Sequence, residues 1–126
     1  MTAGIAQEVR ELFKDPDALV PAIAQDVTTG QVLMLAYMTM ESLEASLSTG
    51  RATYWSRSRN ELWEKGLTSG HTQFIHSISI DCDGDAILIK VNQVGPPCHT
   101  GEATCFYRPL DFTLDESLRE SSGNTD

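Results

Sequence analysis

The chain has 126 residues, 40% of them hydrophobic and 21% charged, which suits one globular domain with a core of its own. Its net charge of −9, from 18 acidic and 9 basic residues, excludes the broad positive surface that general nucleic-acid binding needs. No apolar run approaches a membrane span. The opening Met-Thr-Ala-Gly-Ile-Ala-Gln-Glu lacks the basic-then-apolar pattern of a secretory signal, so a cytoplasmic protein with no membrane partner is expected.

In chain order, residues 3–14 are weakly amphipathic and predict a helix that stops before Asp15-Pro16-Asp17. Residues 19–27 and 32–37 are apolar and flank Thr28-Thr29-Gly30-Gln31, the pattern of a β-hairpin. Thr39 can cap a helix over residues 40–48, and Gly50 stops it. Residues 52–56 read as a short strand. Residues 57–72, rich in Ser, Arg and Gly, read as a long loop of the kind that is functional or mobile. Residues 73–82 and 85–94 predict a second pair of strands, with Phe74, His76, Ile78 and Ile80 on one face by period-two alternation and His76 as a packing residue. Gly95-Pro96-Pro97 breaks the strand, a glycine-bearing loop runs to Gly101, and residues 105–108 form a last short strand. Residues 109–126 are acidic and Ser-rich and are expected to fray. The reading is an α+β fold: a single β-rich domain over residues 1–108, mainly antiparallel and capped by helix.

Two clusters carry metal-type chemistry. Cys82, Cys98 and Cys105 read either as small buried hydrophobes or as three ligands of a zinc site that leaves its fourth position for water. A disulfide would leave one thiol over and does not suit the cytosol. Asp81-Cys82-Asp83-Gly84-Asp85 reads either as a solvated acidic turn or as a carboxylate site for magnesium. On an extended segment Asp81, Asp83 and Asp85 would point one way and Cys82 the other, which would put two metals on opposite sides of one strand.

The stretch from Trp55 to His71 holds the ligand-binding candidates. Arg57, Arg59 and Lys65, with Arg51, concentrate four of the nine basic residues on an acidic protein and suggest an anion site rather than a solvated surface cluster. Thr68, Ser69 and the glycines can line that site. Trp63 can stack on a flat heterocycle, and Trp55 does the same or packs in the core. His71 can act on the substrate or hold phosphate. His99 directly follows a proposed ligand and is the candidate general base or a fourth metal ligand.

Taken together, Trp55-Ser56-Arg57-Ser58-Arg59, Leu62-Trp63-x-Lys65-Gly66-x-Thr68-Ser69-Gly70-His71-x-Gln73, Asp81-Cys82-Asp83-x-Asp85, Gly95-Pro96-x-Cys98-His99-Thr100-Gly101 and Thr104-Cys105-Phe106 resemble the phosphoribosyl-AMP cyclohydrolase family, in order, from about residue 19 to 107. The resemblance implies zinc on Cys82, Cys98 and Cys105 and magnesium on Asp81, Asp83 and Asp85. It implies a homodimer that shares zinc ligands between subunits, with the active sites at the interface. The implied reaction is hydrolytic opening of the adenine ring of 1-(5-phosphoribosyl)-AMP, at the N1–C6 bond, in histidine biosynthesis. Three thiolates weaken zinc as a Lewis acid, so His99 is expected to assist proton transfer.

Overall fold

The computed structural model describes residues 13, 15 and 18–117. The helix expected over residues 3–14 lies outside them, except for Phe13, which is 3% exposed and packs into the core. Six strands form one mixed sheet: β1 (Val20–Asp26), β2 (Val32–Met38), β3 (Thr53–Ser56), β4 (Glu61–Glu64), β5 (Gln73–Ile80) and β6 (Ile87–Gln93), in the spatial order β4-β3-β2-β1-β6-β5. Helix α1 (Met40–Thr49) packs over β2 and β3. No helix among the described residues is long and apolar enough to cross a membrane.

The local elements follow from local chemistry. Asp26 closes the β1–β2 turn by accepting the Thr29 N–H at 2.8 Å, and Gly30 supplies the left-handed φ of 79° that the turn requires. Thr39 and Ser42 cap α1 reciprocally, each side-chain oxygen taking the other's backbone N–H at 3.1 and 2.9 Å, and Gly50 ends the helix with φ 76°. The helix is tied to β3 through Ser46. Its buried hydroxyl accepts the Thr53 N–H at 2.9 Å and donates to the Thr53 carbonyl at 3.1 Å.

Period-two alternation puts Val20, Ala22 and Ala24 of β1 on one face with Met34, Ala36 and Met38 of β2 and Ile87, Ile89 and Val91 of β6. With Tyr54 of β3 and Leu43 of α1 they form the core. Each large aliphatic side chain there contributes roughly 1.5–3 kcal/mol. The sheet curls because the start of β5 reaches the segment before β3: Ala52 donates to Gln73 O at 2.9 Å, and Ile75 donates to Gly50 O at 2.8 Å. The curl brings the loops after β4 and after β6 to the same end of the molecule.

Several expectations are corrected. The stretch 57–72 is not all loop, because Asn60 adopts φ 56° and turns the chain into β4, which pairs antiparallel with β3. The sheet is mainly antiparallel, as expected, with one parallel pair, β1 and β6. A register shift between Ile75 and Ser77 reverses the facing of β5: Ile75, Ile78 and Ile80 pack on the core, while Phe74 and His76 are exposed. Residues 105–108 form no strand. The Cys105 N–H donates to Leu33 O at 2.7 Å and the adjoining Thr104 hydroxyl to Val32 O at 2.7 Å, which fastens the segment to β2. Residues 81–86 are a turn rather than an extended segment, with Gly84 at φ 72° and the Asp85 N–H bonded to Asp81 Oδ1 at 2.9 Å.

Candidate active site

A cleft of about 590 Å³ opens where the β4–β5 connection faces the loop after β6. Its walls include Arg59, Trp63, Lys65, Thr68, Ser69 and His71 on one side, with Pro97, Cys98 and His99 on the other. Most of the residues expected to meet substrate therefore converge. Trp63 is placed by β4, with its ring centroid 5.8 Å from that of buried Tyr54, and it lines the cleft. Trp55 and Arg57 are not among the lining residues. Alternation turns Trp55 to the opposite face of β3, and the Arg57 guanidinium lies 4.1 Å from the centre of the Tyr37 ring.

Lys65 joins the two walls. Its ammonium donates to the Pro97 carbonyl and sits 5.2 Å from the centre of the Trp63 ring. Burial lowers its pKa from the usual lysine range, and negative charge at Cys105 and Cys98 opposes that shift. Arg59 stands at the rim, 3.5 Å from the Glu61 carboxylate. Behind it, Glu64 Oε2 is 3.6 Å from the Arg51 guanidinium, an ion pair too long to be a hydrogen bond.

The thiols divide into two groups. Cys98 is buried and lies 3.0 Å from the Thr100 hydroxyl. That contact, with further hydrogen bonds from the Thr100 backbone and the Cys105 thiol, lowers its pKa from the usual thiol value. Cys105 shares a hydrogen bond with Cys98 and shifts the other way, through desolvation first and then the neighbouring thiol. Cys98 is thus the readier thiolate of an adjacent pair. Cys82 is exposed in the β5–β6 turn, at the far end of β6 from Cys98, a separation of roughly 20 Å for a strand of that length. Among the described residues, the three sulfurs of one chain do not gather within 4.8 Å of one another.

The aspartates are likewise rearranged. The turn brings ligand atoms of Asp81, Cys82 and Asp83 within 4.8 Å of one another, so Cys82 does not face away from the carboxylates as an extended segment would require. The Asp85 N–H lowers the pKa of Asp81, and the hydrogen bond and charge of Asp81 raise that of Asp85. Crowded carboxylate oxygens suit a hard divalent cation, and the paired sulfurs of Cys98 and Cys105 suit zinc.

Sequence reasoning missed Thr100 and Pro97 as site residues. Thr100 was legible as a hydroxyl two residues from Cys98. Pro97 acts through its carbonyl, which no side-chain pattern reveals.

An open cleft lined by two imidazoles, one thiol, two cations and one indole is the kind of site an enzyme uses on a small polar ligand. The comparisons agree in class and name the family. The phosphoribosyl-AMP cyclohydrolase family model matches residues 34–107. A phosphoribosyl-AMP cyclohydrolase of Clostridium botulinum is 60% identical over 98 residues, 78% of this chain and 89% of that protein. Those of Bordetella avium and Bordetella pertussis are 60% identical over 100 residues and 55% over 108, covering 79% and 85% of this chain and 75% and 81% of their own. The chain belongs to the phosphoribosyl-AMP cyclohydrolase family and is a hydrolase.

Proposed function

We propose that this protein hydrolyses 1-(5-phosphoribosyl)-AMP, opening the adenine ring at the N1–C6 bond in histidine biosynthesis, with zinc and magnesium as its metals. The observation that carries the reading is the cleft itself. It lies within the size range of small-molecule sites and gathers an indole, two imidazoles, two cations and a thiol hydrogen-bonded to Thr100 around one hollow.

The residues divide the work by position. Trp63 offers a flat apolar face for the heterocycle. Arg59 and the hydroxyls of Thr68 and Ser69 meet phosphate, and Lys65 has N–H groups left over after bonding Pro97. The N1 substituent makes C6 electrophilic. His99 takes a proton from the attacking water and returns it to N1 as the N1–C6 bond breaks. Cys98 and Cys105 would hold zinc from one chain and Cys82 from a second copy, while Asp81, Asp83 and Asp85 would hold magnesium. When bound, zinc supplies Lewis acidity that makes water more acidic. The separation of Cys82 from Cys98 along β6 supports a homodimer whose site is completed across the interface.

The test is turnover of phosphoribosyl-AMP by purified protein, followed by ultraviolet absorbance, with zinc removed and then restored. Ring opening that disappears with zinc and returns with it is the expected result. Full activity without zinc, or no turnover by a folded, metal-supplied dimer, would overturn the reading.

A further inference from the structure

We propose that Gly95 and Gln93, at the end of β6, are positioning residues that hold His71 as a phosphate-contacting group of the cleft. The substrate contact rests on the cyclohydrolase reading above; the placement rests on geometry alone.

His71 is confined from three directions. A Cβ on Gly95 would lie 2.5 Å from His71 Cδ2 and 3.0 Å from Nε2, so the imidazole occupies the space a side chain at residue 95 would need. From the opposite wall, a Cβ on Gly66 would lie 2.3 Å from the His71 carbonyl carbon, a backbone atom that cannot swing aside. The His71 carbonyl accepts from Gln93 Nε2 at 3.3 Å. Gln93 is itself fixed from the core: its Oε1 accepts from Gln73 Nε2 at 2.8 Å, and Gln73 Oε1 accepts from the Tyr54 hydroxyl at 2.6 Å. Gln73 and Tyr54 are both 0% exposed. The inner link between Tyr54 and Gln73 is buried, and breaking it would strand a polar group without water, which holds the inner end of the chain in register; at the outer end Gln93 Nε2 also reaches the Val94 carbonyl at 3.2 Å.

The fold thus commits two glycines and a three-residue hydrogen-bond chain to one histidine, yet leaves its ring unspent. Among the described residues, the imidazole nitrogens make no hydrogen bond, and the bonds to His71 involve its backbone. A ring fixed by packing, lining the cleft beside Thr68, Ser69 and Lys65, is prepared to donate to an anionic oxygen. Gly95 lies three residues before Cys98, so the same strand end sets the thiol wall and the imidazole together.

The experiment is a double-mutant cycle with a strain control. His71→Ala should raise KM at least tenfold while kcat falls less than threefold. Gly95→Ala should move KM in the same direction, and the double variant should be no worse than His71→Ala, because the ring that the added methyl group displaces is already gone. Gly30→Ala carries the same left-handed strain, with φ 79° and nothing within 4 Å of the added carbon, and should leave the kinetics unchanged. Gln93→Glu keeps an acceptor for Gln73 and removes the donor to His71, and should raise KM as well. In parallel, inorganic phosphate should shift the His71 imidazole NMR resonances in the wild type and in Gly30→Ala, but not in Gly95→Ala. Multiplying losses in the double variant, an unchanged KM for His71→Ala in an active enzyme, or a phosphate shift that survives Gly95→Ala would overturn the proposal. A wild type that turns over no substrate would retire the cyclohydrolase reading, and the phosphate titration would still decide the placement of His71.

Discussion

At the scale of single residues, short polar side chains carry structural work that composition does not advertise. Ser46 is fully buried and serves both the N–H and the C=O of Thr53. Ser46→Ala should cost about 1–3 kcal/mol in urea unfolding, because it leaves the Thr53 N–H without a partner. Asp26 works at the surface. Hydrogen bonds from Thr29 hold its carboxyl below the usual aspartate range. A depressed folded-state pKa gives stability that is present above the unfolded value, near 4, and is lost as pH falls through the folded one. Asp26→Ala should therefore lower stability at neutral pH by on the order of a few tenths of a kcal/mol, read as a slightly lower Tm, and the gap should close in strong acid. At this scale the candidate site was legible where chemistry resides in the side chain, as for Cys98, His99, Trp63 and Lys65. It was not legible for Gly95 and Pro97, which act through a missing side chain and a backbone carbonyl.

At the scale of elements, those specified within a few residues were legible. The β1–β2 hairpin and α1 each carry their own start and stop signals, and the structure has them within a residue or two. Thr39→Ala removes half of the capping box and should cost about 1 kcal/mol, read from the thermal midpoint. β4 was missed because its turn signal is a single asparagine inside a polar stretch. Asn60 sits at φ 56°, so Asn60→Ala should destabilise by about 1 kcal/mol while Asn60→Gly stays near neutral. The bulge in β5 has no local signature either. One extra residue inverts the alternation, which is why His76 ends in solvent and Ile75 against the core. The parallel pairing of β1 with β6 joins segments more than 50 residues apart, which no short window can reveal.

At the scale of the whole molecule, the central claim concerns where the three cysteines fall. Two stand together beside the cleft, and the third stands beyond the other end of β6. The sequence pattern could name all three as a set but could not say that one chain keeps them apart, since that depends on the direction and length of β6. If the set binds one ion, each site takes sulfurs from two copies of the chain, and an intact site survives in a mixed dimer whose two defects lie on opposite sides. The most direct measurement is turnover by a heterodimer of Cys82→Ser and Cys98→Ser chains, co-expressed with different tags and purified by both. Each homodimeric variant should be inactive. The heterodimer keeps one site with Cys82 from one chain and Cys98 and Cys105 from the other, so it should recover about half of wild-type activity. A heterodimer as inactive as its parents, beside an active wild type, would contradict the shared site.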